Sequence, residues 1–147
     1  KAKTVFAKFG VLSERELSSR VDIYWERYVK VQNIEANCAL DIAKSMVLPA
    51  TAKYLGVLAA AGDSRGIASI RERVAGLADE LVDAIAALEE AQHHAHEAGS
   101  VEAEARSFVD HVIPAQEALL VVVDTLETLV DDELWPLPKY RELLFQF

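Results

Sequence analysis

A single cysteine, Cys38, stands among 147 residues. It excludes an internal disulfide framework and a zinc site built on cysteines, and it suits a reducing compartment, so a cytoplasmic location is expected. No charged-then-apolar leader opens the chain, and no apolar run is long enough to cross a bilayer, so no membrane association is expected. Basic residues are scarce, 15 against 24 acidic ones, for a formal net charge of −9. That balance argues against nucleic acid, whose phosphates require clustered Lys and Arg, and against a basic helix lying on a membrane surface. Glycine and proline number only 6 and 4. No stretch alternates apolar and polar residues between strand-type turns. What is plentiful is apolar side chain, 52% of the residues, far too much for a disordered chain and enough for one domain with a real core.

The spacing of those residues predicts an all-α fold. Residues 1–10 form a short helix with Val5, Phe6 and Phe9 on one side, ended by Gly10. Ser13 and Glu16 have the spacing of a capping box, flanked by Leu12 and Leu17 as a hydrophobic staple. A long helix is expected over 13–61, with Leu17, Val21, Tyr24, Tyr28 and Val31 as its packed seam. After Asn37 apolar residues occur all round it, Cys38 among them, as in a helix surrounded by protein. Pro49 interrupts this helix by removing a donor and crowding the preceding turn, so a kink is expected there. If continuous, the element measures roughly 70 Å at 1.5 Å per residue.

Two further helices follow, over 64–98 and 101–130. Their seams read Ile67, Ile70, Val74, Leu77, Leu81, Ala84, Leu88 and Ala91, then Val101, Ala105, Phe108, Val112, Ala115, Leu119, Val122, Leu126 and Leu129. The tight connections at Gly62-Asp63 and Gly99-Ser100 require antiparallel neighbours. The expected architecture is an elongated antiparallel bundle of three long helices, with a Pro-containing tail over 131–147. In the tail Trp135-Pro136-Leu137-Pro138 is extended, and a last helical turn spans 139–145. Val47-Leu48-Pro49-Ala50 and Val112-Ile113-Pro114-Ala115 share a pattern, read as two matching kinks.

Few residues suggest chemistry. Glu90 and His93 have the Glu-x-x-His spacing of di-iron bundles, but no second such motif exists, and His93, His94 and His96 suit the negative end of a helix dipole. Cys38 reads as inert core filler. The acidic run Glu127, Asp131, Asp132 and Glu133 reads as a solvated helix end. Glu35 falls on the seam between Val31 and Cys38, where a carboxylate is costly unless paired, and reads as a buried ion pair or an interface contact. Aromatics gather at both ends, Trp25 near one and Trp135, Tyr140 and Phe145 near the other, as on a surface that packs against another domain.

Two stretches bring a family into view. Val11-Leu12-Ser13-Glu14-Arg15-Glu16-Leu17, Asn33-Ile34-Glu35-Ala36-Asn37 and Leu48-Pro49-Ala50 resemble the region after the catalytic core of type III glutamine synthetases. Leu126-Glu127-Thr128-Leu129-Val130-Asp131-Asp132 and Leu134-Trp135-Pro136-Leu137-Pro138-Lys139-Tyr140 are similar to the C-terminus of the same family. The resemblance spans 11–49 and 109–145. It departs at Gln116, where Met is expected, and at Leu120 or Val121, where Arg is expected.

The resemblance implies a cytoplasmic parent enzyme that joins ammonia to glutamate using ATP and magnesium or manganese, through a γ-glutamyl phosphate. It further implies stacked hexameric rings, an upstream catalytic domain in the same polypeptide as partner, and a cut inside a longer chain at Lys1. No metal- or phosphate-gripping motif of the family is matched here, so no catalytic, cofactor-binding or metal residue is expected in this segment. Its own role is expected in folding, subunit assembly or regulation, with Glu35, Trp25, Trp135, Tyr140 and Phe145 as interface or structural residues. The rival reading is a free-standing helical adaptor or ligand-sensing bundle.

Overall fold

The computed structural model describes residues 2–144, all of whose regular structure is helical. In chain order these are α1 (Ala2–Lys8), α2 (Glu14–Ile42), a π-turn at Ala43–Val47, α3 (Leu48–Ala60), α4 (Arg65–His96), α5 (Val101–Ser107), a second π-turn at Phe108–Val112, α6 (Ile113–Glu127) and the five-residue α7 (Tyr140–Leu144). Each of the two proline-bearing helices expected as one piece is thus two α-helices joined by a π-turn.

The π-turns have a common cause. The residue before each proline reaches back five positions rather than four: the Leu48 N–H donates to the Ala43 carbonyl, and the Ile113 N–H to that of Phe108. Proline lacks a donor, and its ring crowds the carbonyl four residues upstream. A wider turn makes room for the ring without ending the helix. The repeated Val-x-Pro-Ala pattern therefore marks two backbone adjustments of the same kind.

Ser13 caps α2 as its spacing predicts. Its hydroxyl accepts from the Glu16 N–H at 3.3 Å and donates to the Glu16 carboxylate at 2.6 Å, while its own backbone N–H donates to that carboxylate at 2.8 Å. The Ser13 hydroxyl, and then the Ser13 backbone N–H, hold the Glu16 carboxyl below its ordinary value. A depressed folded-state value stabilises the fold above the unfolded carboxylate range, and the gain is lost as pH falls through the folded value. Glu16→Gln is therefore expected to flatten the acid limb of a pH series of thermal melts and to leave its neutral-to-basic limb parallel to wild type.

Packing centres on α4, which lies against α3 on one side and against the second π-turn and α6 on the other, while α2 lies against α5. Val47, Val74, Leu81, Leu88, Phe108, Val112 and Leu126 are fully buried. At the α3–α4 reversal Gly62 takes φ 92°, a left-handed conformation that a Cβ makes costly. Gly62→Ala is expected to lower stability by about 1–2 kcal/mol, the cost of that conformation for an L-residue, in a urea titration.

Three expectations need correction. The α2 seam is rotated: Leu17, Val29, Ala36 and Leu40 are buried, whereas Val21, Tyr24 and Val31 are exposed. Two apolar stripes compete on this helix, and the core takes the one with the small Ala36, which lets α4 approach. Cys38 is exposed rather than core. With Asp41, Lys44 and Ser45 also exposed, the helix after Asn37 is covered on one face only. Glu35 is exposed, as rotation of the seam requires. Ahead of the Trp-Pro-Leu-Pro stretch the chain makes a turn: the Leu134 and Trp135 N–H groups both donate to the Asp131 carbonyl, at 3.1 and 2.9 Å.

Candidate functional site

A groove of about 450 Å³ lies between α2 and α6. Ala39 and Ile42 of α2 with Ala43 of the first π-turn form one wall and Ile113, Leu119, Leu120 and Val123 of α6 the other, with Leu137 of the tail at one side. Its polar rim is Gln32, Glu35, Gln116 and Glu117. The Gln32 side-chain amide donates to the Glu35 carboxylate at 3.1 Å, so the carboxylate has a partner at the rim and no buried charge to compensate. Apolar walls under two carboxylates and two carboxamides can bind an apolar side chain that carries a donor. They offer no nucleophile paired with a base.

Trp135 stands just before the segment that reaches this groove. It is 7% exposed, with Leu134 and Leu137 also packed on the core. Its indole N–H has no acceptor among the described residues. The tail is tied down by Lys139, whose side chain is only 14% exposed, pairs with Asp132 and donates to the Val130 carbonyl at 3.3 Å. This cation at the end of the helix offsets the acidic run that the dipole would otherwise disfavour. Trp25 is half-buried against the core. The Tyr140 side chain and all of Phe145 lie outside the described residues, so of the five proposed interface residues Glu35, Trp25 and Trp135 have described surroundings. Glu35 and the Trp135 segment meet at one groove, while Trp25 belongs to the core face.

A second polar feature joins three helices. Gln92 of α4, 7% exposed, donates from its amide to Asn33 Oδ1 at 3.0 Å and to Asn37 Oδ1 at 3.2 Å, both on α2. His96 places Nε2 at 3.1 Å from Asn33 Oδ1 and Nδ1 at 2.8 Å from Glu104 of α5. Its ring also meets Phe108 edge-on, with centroids 5.6 Å apart. The histidines thus diverge: His93 faces Glu97 at 3.9 Å, and His94 meets His111 edge-on at 6.0 Å. Among the described residues no group of three or more His, Cys, Asp or Glu side chains converges where a metal ion could sit.

Sequence reasoning missed this amide network because Gln92 and its partners lie 59 and 55 residues apart. The four-residue step from Asn33 to Asn37, one helical turn beside the buried Ala36 and Leu40, was the available signal. Gln92→Ala removes the amide donor shared by Asn33 and Asn37, while His96 Nε2 still faces Asn33 Oδ1, and is expected to cost about 0.5–1.5 kcal/mol, the net worth of an ordinary hydrogen bond, by chemical denaturation.

The described residues form an all-helical segment with an apolar groove under a polar rim. Comparison with known proteins supplies a likeness. Residues 1–66 match the model described as the glutamine synthetase C-terminal domain. A glutamine synthetase of Bacteroides fragilis (strain YCH46) is 30% identical over 153 aligned positions, covering 92% of this chain and 20% of that protein. A type-3 glutamine synthetase of Dictyostelium discoideum is 30% identical over 156 positions, covering 96% of this chain and 21% of its own length. The chain is thus similar to the C-terminal domain of glutamine synthetases, over its first 66 residues by the family model and over nearly its whole length by these relatives. It spans about a fifth of the length of these relatives.

Proposed function

We propose that this chain serves as the helical C-terminal segment of a type III glutamine synthetase and is itself non-catalytic. The parent joins ammonia to glutamate at the expense of ATP, in the cytoplasm, as a homo-oligomer of hexameric rings. The segment contributes folding, subunit assembly or regulation, as an elongated antiparallel bundle of three helical arms, two of them proline-adjusted, packed against the catalytic domain of the same polypeptide. The observation that carries this reading is the alignment of nearly the whole chain with only a fifth of each relative.

The described side chains do not fit a metal-nucleotide site, since no three potential ligands converge. Magnesium or manganese, with the ATP it accompanies, is therefore assigned to the parent's remaining length, and no step of the reaction is routed through these helices. Glu35, Trp25, Trp135, Tyr140 and Phe145 act in structure or at interfaces.

An antibody raised against the chain tests the reading on lysate of the cells that make it. The expected immunoblot band is about five times the length of this chain, the ratio implied by its 20% share of a relative. A band at the size of the chain itself would favour the free-standing adaptor.

A further inference from the structure

At the junction of α2, α4 and α5 one side chain has more acceptors than its neutral form has hydrogens. His96 closes α4 and sets both ring nitrogens against oxygens, Nδ1 at 2.8 Å from Glu104 Oε1 and Nε2 at 3.1 Å from Asn33 Oδ1. Neither oxygen can donate: a carboxylate only accepts, and so does the carbonyl end of an amide. Asn33 Oδ1 already receives a hydrogen from Gln92 Nε2 at 3.0 Å, and the same nitrogen gives its other hydrogen to Asn37 Oδ1 at 3.2 Å. A neutral imidazole carries one N–H and serves one of the two acceptors. An imidazolium carries two and serves both.

We propose that His96 is a proton-dependent tie within this bundle: as an imidazolium it joins α5 to α2 through Glu104 and Asn33 at once, and on losing its proton it releases one of the two. A neutral ring satisfies the network in one other way, by reversal of the Asn33, Asn37 and Gln92 amides together, so that Asn33 donates to Nε2. The charges around the ring favour the proton instead. Glu104, whose side chain is only 22% exposed, makes a charge-assisted bond with an imidazolium. His96 is the last residue of α4, where the carbonyl end of the helix dipole favours a cation, and Glu97 follows it. From α2 the cleft beside the ring is lined by Glu26 and Lys30, which pair with each other at 3.8 Å. From the second π-turn the ring meets the apolar Phe108. Within α4, His93 faces Glu97 at 3.9 Å rather than this junction.

Folding brings the two acceptors together, so folding and protonation of the ring favour one another. The stabilisation is complete below the ordinary histidine range, about 6.5, and is lost as pH rises through and beyond it, the opposite sense to the Glu16 contribution. Above that range α5, seven residues long and too short to hold itself as a helix in water, keeps its packing on α2 with one polar tie fewer. The ring is 44% exposed, so solvent protons reach it and the effect on the folding equilibrium is limited to about fivefold.

A double-mutant cycle in the full 147-residue chain tests the tie, with His96→Gln, Glu104→Gln and both together. Unfolding by urea is measured at about pH 5.5 and about pH 8.5, on either side of the histidine value, with the helicity of each variant checked by circular dichroism. Glutamine offers donor and acceptor ends, as neutral histidine does, and never the paired N–H donors of an imidazolium ring. The coupling between the two positions is expected to be about fivefold in the unfolding constant at the lower pH and under about twofold at the higher. His93→Gln in place of His96→Gln is expected to couple to Glu104 at neither pH. Equal coupling at the two pH values would show a neutral ring in a reversed amide network and overturn the proposal, as would no coupling at either. Both results concern this junction alone and leave the reading as a glutamine synthetase segment standing. That broader reading falls on a different result, glutamine synthesis by the chain alone.

Discussion

Replacing Phe108 by alanine is expected to remove about 3–5 kcal/mol of stability, the usual cost of deleting a fully buried aromatic ring. Phe108 is 0% exposed and opens the second π-turn, where the chain lies against α4. Its ring also meets His96, which ties α4 to Asn33 of α2 and Glu104 of α5. The substitution therefore leaves a cavity and loosens the edge of the polar network at once. Small domains have about 5–15 kcal/mol in total, so the variant is expected to be partly unfolded at physiological temperature. Thermal melts by circular dichroism give the test. A melting temperature within a few degrees of wild type would place the core elsewhere.

Trp135→Ala is expected to have the second largest effect, of a different kind. The indole is buried against the core, but the residues it anchors form the tail rather than the helices. Loss of about 3 kcal/mol of docking raises the undocked population roughly a hundredfold. The expected readout is a comparable acceleration of proteolysis between 131 and 139, with the main thermal transition little changed. Trp135→Phe keeps most of the apolar area and removes an N–H that has no acceptor among the described residues. It is expected to protect the tail nearly as well as wild type. Equal cleavage rates for the alanine variant and wild type would show that Lys139 and Asp132 hold the tail without the indole.

How far the fold was legible in the sequence depended on whether a helix had one apolar stripe or two. The seam of the last long arm had one, and Ala105, Phe108, Val112, Leu119 and Leu126 are all buried as expected. The Ser13–Glu16 cap was equally readable, because its spacing and chemistry are local. On α2 the stripe through Val21, Tyr24, Tyr28 and Val31 has the better periodicity, yet the core takes Val29, Ala36 and Leu40. Periodicity reports that a face is apolar and says nothing about which neighbour covers it. Cys38 and Glu35 were misplaced for that one reason.

The prolines were readable as interruptions, but a π-turn was not, since its geometry depends on how the helix on either side is held. For the candidate site, Glu35 and the tail tryptophan were visible as unusual residues. The meeting of Glu35 and the tail's Leu137 at a groove between α2 and α6, and the bonds from Gln92 to Asn33 and Asn37, join residues distant along the chain, and local sequence carries no record of such pairs.

The central claim is that these helices support a glutamine synthetase without performing its reaction. The most direct measurement supplies the chain alone with glutamate, ammonium, ATP and magnesium and follows glutamine and phosphate. The account predicts no glutamine and no phosphate release above a protein-free blank. Glutamine formed in proportion to the chain added would contradict it.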